Sequence, residues 1–262
     1  MSSRGMKPSA RSHASMSMMA AGLKRSSETQ DVTQSPIFQE VLKHLGEERT
    51  VLDIGAGVGR FTGPLAAAGC HVVAIEPAGE MISHLEETVE RYDVSHRVQV
   101  LQSMWPADVD AQLPAHVEVA LATFVIQFSD DWVGFAREME RTATKQCILA
   151  VHVDPIMRSL EELWPIFHPD RVGPHMPGFE EIYPVLLHAG IVADVHIFEE
   201  ELGPRWLDVA TALPMIALQL EISDDTDAIK RLENILEDRA SAILQPRPHR
   251  MAMISWMPKT VQ

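Results

Sequence analysis

Little in this sequence can cross-link the chain or hold a metal. There are two cysteines in 262 residues. Cys70 falls at a helix–strand junction and Cys147 inside an apolar run, neither at metal-ligand spacing. No disulfide framework or metal site is therefore expected, and a reducing compartment suits the chain. No apolar run approaches the roughly 18 residues that a membrane-spanning helix requires, and the N-terminus lacks the apolar core of a secretory signal, so no membrane partner is expected. Internal repeats and long linkers are also lacking. Residues 1–27 contain no acid, only Arg4, Lys7, Arg11, Lys24 and Arg25 among the charged types. The remainder then carries 17 bases against 37 acids, a net of −20 within the overall −15. A body that acidic repels phosphate backbones, so no nucleic-acid partner is expected.

The first 27 residues are rich in Ser, Met and Ala without sustained periodicity, and read as a flexible basic tail. An acid-free, Arg-containing start also suits an organellar transit peptide. Cytoplasmic location is the expectation, with import left open. With 46% apolar residues, the rest can bury a substantial core, and residues 28–262 read as one α/β domain.

The most informative stretch is residues 51–59, VLDIGAGVG. An apolar run ends in Gly55, Gly57 and Gly59, and Phe61, Leu65 and Ala68 follow at helical spacing before Gly69. Strand, glycine turn and helix is the layout in which a parallel sheet offers its carboxyl edge to a nucleotide-like ligand. Side chains in the turn would block close approach of backbone N–H groups. The dinucleotide fingerprint G-x-G-x-x-G is not met, because Arg60 stands where its third glycine belongs. Asp53, two residues before the first glycine, is awkward beside a pyrophosphate and useful beside a cation. An NAD-type oxidoreductase is disfavoured on both counts. The segment resembles motif I of the class I S-adenosylmethionine (SAM) methyltransferases, whose ligand carries an ammonium and a sulfonium and no phosphate.

That resemblance extends over residues 36–152. His71–Ile75 reads as the second strand and ends at Glu76, about 20 residues past the turn, where a carboxylate accepts hydrogen bonds from ribose hydroxyls. Pro77 to Met81 opens the next helix, with Met81, Leu85 and Val89 as its buried stripe. In the family the residue at the place of Met81 often lies against the adenine, while a methionine equally fills gaps in a core. Arg97–Leu101 reads as the third strand. The family often has an acid just after it for the adenine amino group; here stand Ser103, Met104 and Trp105. Either Ser103 makes that contact, Asp108 reaches back, or backbone carbonyls suffice. Trp105 either closes the adenine pocket or packs in the core. Residues 117–122 form a fourth strand with Glu118 where relatives usually have Asp. The segment from Thr123 to Phe128 then faces sulfonium and substrate in such enzymes. Asp131 follows as part of a helix N-cap, and Trp132, Phe135 and Met139 form that helix's buried face. Residues 147–151 make a fifth, fully buried strand.

Implied, then, is a doubly wound, mostly parallel seven-stranded sheet of order 3-2-1-4-5-7-6. Its last strand is antiparallel and helices cover both faces. The resemblance implies SAM as cofactor, held by Asp53, Gly55, Ala56, Gly57, Gly59, Glu76, Pro77, Met81, Ser103, Met104, Trp105 and Thr123. Residues 154–190 are dense in proline, histidine and aromatics and read as a lid over the methyl donor. His168, His175 and His152 are candidate bases, in that order, each weighed against a bland capping or solvent-facing role. Gln127 is the polar candidate to position a methyl acceptor. The proline-rich setting of His168 and His175 lacks the i, i+4 helix geometry metal ligands often use. The C-terminal third reads as strand 191–198, helix 206–220, helix 226–244 and strand 251–257, the helices either covering the substrate or forming a homodimer face. No Asn-Pro-Pro-Tyr-like signature follows strand four, so a small-molecule acceptor at O, N, S or C is expected. A non-catalytic SAM-binding scaffold is the alternative.

Overall fold

In a computed structural model the described residues are 23–24, 31–106, 116–154, 158–202, 208–239 and 247–259. The apolar runs pair into one sheet. Its strands are β1 (Thr50–Ile54), β2 (His71–Ile75), β3 (Val98–Leu101), β4 (Val117–Thr123), β5 (Ala143–His152), β6 (Asp194–Leu202) and β7 (Arg247–Trp256). They lie in the order β3-β2-β1-β4-β5-β7-β6, and β7 alone runs antiparallel to its neighbours β5 and β6. The chain winds outward in opposite directions from β1 and β4, which pair in parallel. A ligand crevice forms at the carboxyl end of such a switch point.

Alternate residues of each central strand face opposite layers, as the two-residue period of a strand requires. Leu52 and Ile54 pack with Phe135 and Met139 of α4 (Trp132–Thr142) and with Ile182 and Leu186 of α6 (Phe179–His188). Val51 faces the other layer. There it meets α1 (Pro36–His44), α2 (Thr62–Ala67) and α3 (Gly79–Arg91) through Ile37, Phe38, Leu65, Leu85 and Val89. The α3 stripe expected at Met81, Leu85 and Val89 is buried. Asp131 caps α4 by accepting the Gly134 N–H at 2.8 Å. Both cysteines are buried and unpaired.

Element ends moved most in the C-terminal third. β6 begins at Asp194 rather than at Ile191, because Ile191 closes α6, donating its N–H to the Leu186 carbonyl at 3.0 Å after Gly190 turns left-handed. β7 begins four residues early, at Arg247. Pro248 sits in its ladder opposite Glu201, beyond the last β5 partner at Met251, so its missing N–H falls on an open side. Helix α7 spans Val209–Gln219 with Asp208 as its cap, and α8 spans Thr226–Asp238. Trp206 and Ile243, expected within these helices, lie outside the described residues.

The expected lid at 154–190 divides in two. Helix α6 docks in the main core. Helix α5 (Arg158–Phe167) instead shares a separate apolar cluster with α7 and α8, built on Leu160, Leu163, Trp164, Ile216, Leu220, Leu232 and Leu236. That cluster is tied by Trp164 Nε1 donating to the Arg171 carbonyl at 3.1 Å and by an Arg171–Glu221 ion pair at 2.7 Å. Since α5 follows β5 and α7 follows β6, both parts of this helical cap depart from the carboxyl edge of the sheet.

Candidate functional site

At that edge the chain leaves β1 through the three glycines, all at positive φ: 69° at Gly55, 57° at Gly57 and 84° at Gly59. They serve different ends. A Cβ on Gly55 would lie 2.6 Å from a Val125 methyl, and one on Gly59 would press on Leu85 and Thr88 at 3.4 Å. A Cβ on Gly57 would meet nothing nearer than the Gly55 carbonyl oxygen at 4.0 Å. The first and third glycines let the protein pack on itself, and the second faces open space. Gly55 and Ala56 donate to the Ile75 carbonyl at 2.8 and 3.0 Å. Thr88 Oγ1 holds the Val58 carbonyl at 2.9 Å. Arg60, at the loop's end, pairs with Glu200 of β6 at 2.6 Å, and Glu200 also accepts from Ser35 Oγ at 2.6 Å.

Two buried carboxylates flank this loop. Glu76 accepts the Gly57 N–H through Oε2 and the Ala78 N–H through Oε1, both at 2.9 Å. Burial raises its pKa, and those two backbone donors oppose the rise. Asp53 is 1% exposed and accepts from Thr62 Oγ1 at 2.6 Å. Burial lifts its pKa from 3.8 to about 6, Thr62 opposes the lift and the charge of Glu76 adds to it. Two buried acids, one of them raising the other's cost of ionisation, repel a pyrophosphate and favour a cation. The sign of the pH effect follows. A carboxyl with a raised folded-state pKa holds its proton while the unfolded chain has lost it, so its contribution to stability falls as pH rises from about 3.8 to about 6. The stability of wild type relative to Asp53→Asn should therefore improve on acidification through that window. A cationic ligand reverses the preference, so SAM affinity should weaken below about pH 6 in wild type and weaken less steeply in Asp53→Asn, where Glu76 alone of the pair still titrates. Calorimetric titration at several pH values checks this, and parallel profiles for the two proteins would contradict it.

Three buried side-chain atoms among the described residues have no hydrogen-bond partner: Arg60 Nε, Ser103 Oγ and Gln127 Oε1. They follow β1, β3 and β4, so all three lie on loops at the carboxyl edge. A buried orphan costs about 1–3 kcal/mol, so each of these three would be stabilised by a polar ligand atom. The open face of Gly57 and the two carboxylates, in turn, suit a ligand bearing positive charge.

The other expected cofactor residues fall around this loop in different states. Met81 is buried against Val58 and Ala78, directly under the glycine loop. Pro77 is exposed, and Thr123 is half-buried at the end of β4. Met104 is 58% exposed. Trp105 packs edge-on against Phe135 at 6.2 Å and donates to the Phe135 carbonyl at 3.4 Å. Asp108 lies outside the described residues. Glu118 sits at the opposite end of β4, where it accepts from Lys145 Nζ and the Gly46 N–H, each at 2.8 Å. Its departure from the family pattern therefore does not touch the carboxyl edge.

Of the catalytic candidates the fold brings two together. Phe124 turns left-handed just after β4, at φ 57°. Its ring stacks on His152 at 4.5 Å, and its carbonyl accepts Gln127 Nε2 at 2.8 Å. His152 Nδ1 lies 3.0 Å from His249 Nε2. His168 is elsewhere: its Nε2 meets the Leu220 carbonyl at 2.6 Å and its ring lies on Trp164 at 4.5 Å, inside the cap cluster. His175 is exposed and pairs with Glu181 at 2.8 Å. Tyr183 donates to the Ala193 carbonyl. Sequence reasoning missed Thr62, Val125 and His249. A buried Asp53 calls for a donor near the helix start, so Thr62 had a signal. The contact of His249 needs the β5–β7 register, which no residue pattern specifies.

Among the described residues no group of three or more His, Cys, Asp or Glu can hold a metal ion, and no helix is long and apolar enough to cross a membrane. The sheet order is that of a Rossmann-like fold, the fold of the SAM-dependent methyltransferases that the segment at residues 51–59 resembles. Residues 52–151 match the family described as methyltransferase domain, so this part of the chain is similar to methyltransferase domains, a family that uses SAM. Over 116 residues the chain is 27% identical to ribosomal RNA small subunit methyltransferase A of Enterococcus faecalis, a match spanning 38% of this chain and 39% of that protein's length. Magnesium protoporphyrin IX methyltransferase from Synechocystis, solved with S-adenosylhomocysteine, superposes at TM-score 0.53 with 13% identity, covering 90% of this chain and 83% of its own. A SAM-dependent methyltransferase from Geobacter sulfurreducens, also with S-adenosylhomocysteine, gives 0.50 and 13%, covering 95% and 92%. At such identities these two structures speak for the fold.

Proposed function

We propose that the chain transfers a methyl group from SAM to a small molecule with an O, N, S or C nucleophile. The observation that carries this reading is the pair of buried carboxylates, Asp53 and Glu76, beside the open face of Gly57. Glu76 would hold the ribose hydroxyls, the turn at Gly57 would admit the methionine moiety, and Ser103 with Met81 would border the adenine. When bound, the sulfonium supplies a methyl group already activated for transfer. The chain then has to bring the nucleophile in line at about 3–3.5 Å and exclude water. The cap of α5, α7 and α8, departing from the same edge, supplies the cover. Gln127 orients the acceptor, and His152 takes the proton released as the new bond to carbon forms and the carbon–sulfur bond breaks. His168, fixed to the Leu220 carbonyl, comes after His152 in this assignment, and His175, paired with Glu181, comes last.

RNA is the second reading, favoured by the match to a ribosomal RNA methyltransferase and opposed by the net charge of −20 beyond residue 27. A screen for S-adenosylhomocysteine release, run with small hydroxyl, amine and thiol compounds and with ribosomal RNA, separates them. Turnover is expected with a small compound. His152→Ala should then lower kcat/KM by roughly 100-fold or more, with SAM affinity near wild type. Turnover on RNA alone would overturn the small-molecule reading, and full activity of His152→Ala would remove the histidine from the mechanism.

A further inference from the structure

In the loop after β4 one buried side-chain polar atom is left without a hydrogen-bond partner. Phe124 donates its N–H to the Ala150 carbonyl at 2.8 Å, Phe128 donates to Val125 at 3.0 Å, and Ser129 donates to Ile126 at 2.9 Å. Gln127 Nε2 donates to the Phe124 carbonyl at 2.8 Å. That bond fixes the orientation of the Gln127 amide, because the nitrogen must face the carbonyl that the left-handed turn at Phe124 aims at it. The amide oxygen is what remains. Gln127 is 8% exposed, and its Oε1 has no partner. An amide oxygen accepts hydrogen bonds and cannot donate one, so the group that completes this loop is an N–H or O–H. The sulfonium and its methyl group carry neither. The loop stands at the end of β4, beside β1 and its glycine turn, next to the Phe124–His152 stack.

We infer that Gln127 Oε1 accepts a hydrogen bond from the methyl acceptor at the transfer point. The substrate class is then one whose nucleophile, or the atom beside it, bears N–H or O–H: an amine, an amide or a hydroxyl compound. A bare carbon, a tertiary amine or a thioether leaves the oxygen unmet. The inference rests on the reading of the site as a SAM site and adds to it the polarity of the substrate and the atom that reads it. Gln127 holds no proton in this scheme. It selects and aligns.

Two nucleoside probes test the placement before any substrate is known. S-adenosylhomocysteine has no group where the transferring methyl stands. Sinefungin has a carbon bearing an ammonium there, and is otherwise closely similar. Wild type should prefer sinefungin, and Gln127→Met should lose that preference by roughly 10-fold, the scale of a hydrogen bond to a charged donor. Its affinity for S-adenosylhomocysteine should stay within about two-fold, well inside one such bond. Gln127→Glu keeps an oxygen at the position and should keep or strengthen the preference, which guards against a methionine variant that fails to fold. If Gln127→Met weakens both probes equally, Oε1 binds the amino-acid ammonium of the cofactor and the inference is wrong. An unchanged ratio in both variants means the oxygen does not face the transfer point, and overturns it too. Should wild type bind neither probe, the SAM-site reading itself fails and this inference falls with it.

Discussion

Gly57→Val is expected to abolish SAM binding and leave the sheet standing. The expected result divides cleanly because of what surrounds this glycine. Its φ of 57° costs a β-branched residue about 1–2 kcal/mol, a loss that a core of this size tolerates. The new Cβ meets no protein atom within contact distance, so the apo fold has no steric reason to open. The valine methyls would instead project into the open space at the turn, where the ligand is proposed to lie. Thermal unfolding with and without SAM reads the difference. At 100 times Kd the ligand stabilises wild type by about 2.7 kcal/mol, and the variant should gain almost nothing. Equal shifts would show that the ligand lies elsewhere. The same substitution at Gly55 is no substitute, since its Cβ would collide with Val125 at 2.6 Å and confound folding with binding.

Glu76→Ala should weaken SAM binding by roughly 1.5–3 kcal/mol, the range for hydrogen bonds to a charged group. The carboxylate does two things at once. It is the group proposed to hold the ribose hydroxyls, and it already anchors the Gly57 and Ala78 N–H groups. Removing it leaves those donors without their acceptor and loosens the loop that Gly57 shapes. Glu76→Gln retains an oxygen for one of the two donors, so it should fall between wild type and alanine in calorimetric titration. An alanine variant that folds and binds with unchanged affinity would show that the ribose is held by other residues.

Much of this was legible because central strands and their glycine turn announce themselves locally. Residues 51–59 combine a short apolar run, three glycines and a carboxylate, and each feature has one physical use in a parallel sheet. The sheet order came from the resemblance rather than from periodicity, and the strands pair in that order. Local pattern says less about where a side chain goes after it leaves an element. His168 stands out in sequence as a histidine in a proline-framed loop, yet its ring nitrogen meets a carbonyl 52 residues away. Nothing near His168 signals Leu220. The cap had the same difficulty. Residues 154–190 read as one lid because they follow strand five and are dense in proline, histidine and aromatics, while packing assigns α5 to the C-terminal helices and α6 to the sheet. Helix α6 has Ile182 and Leu186 at one-turn spacing, a stripe that was present but masked by its proline-rich approach.

The shared core of the cap also sets an order of events during synthesis. Leu160, Leu163 and Trp164 leave the ribosome well before Ile216, Leu220, Leu232 and Leu236, the residues that cover them. Closing the bond from His168 to Leu220 alone requires 52 further residues, on the order of seconds of elongation. Through that interval the sheet up to β5 can assemble around β1 and β4, but the apolar face of α5 has no partner. The sheet up to β5 can thus stand while the cap is still unfinished, and chains interrupted between β6 and α8 would present a tryptophan-bearing helix to their surroundings.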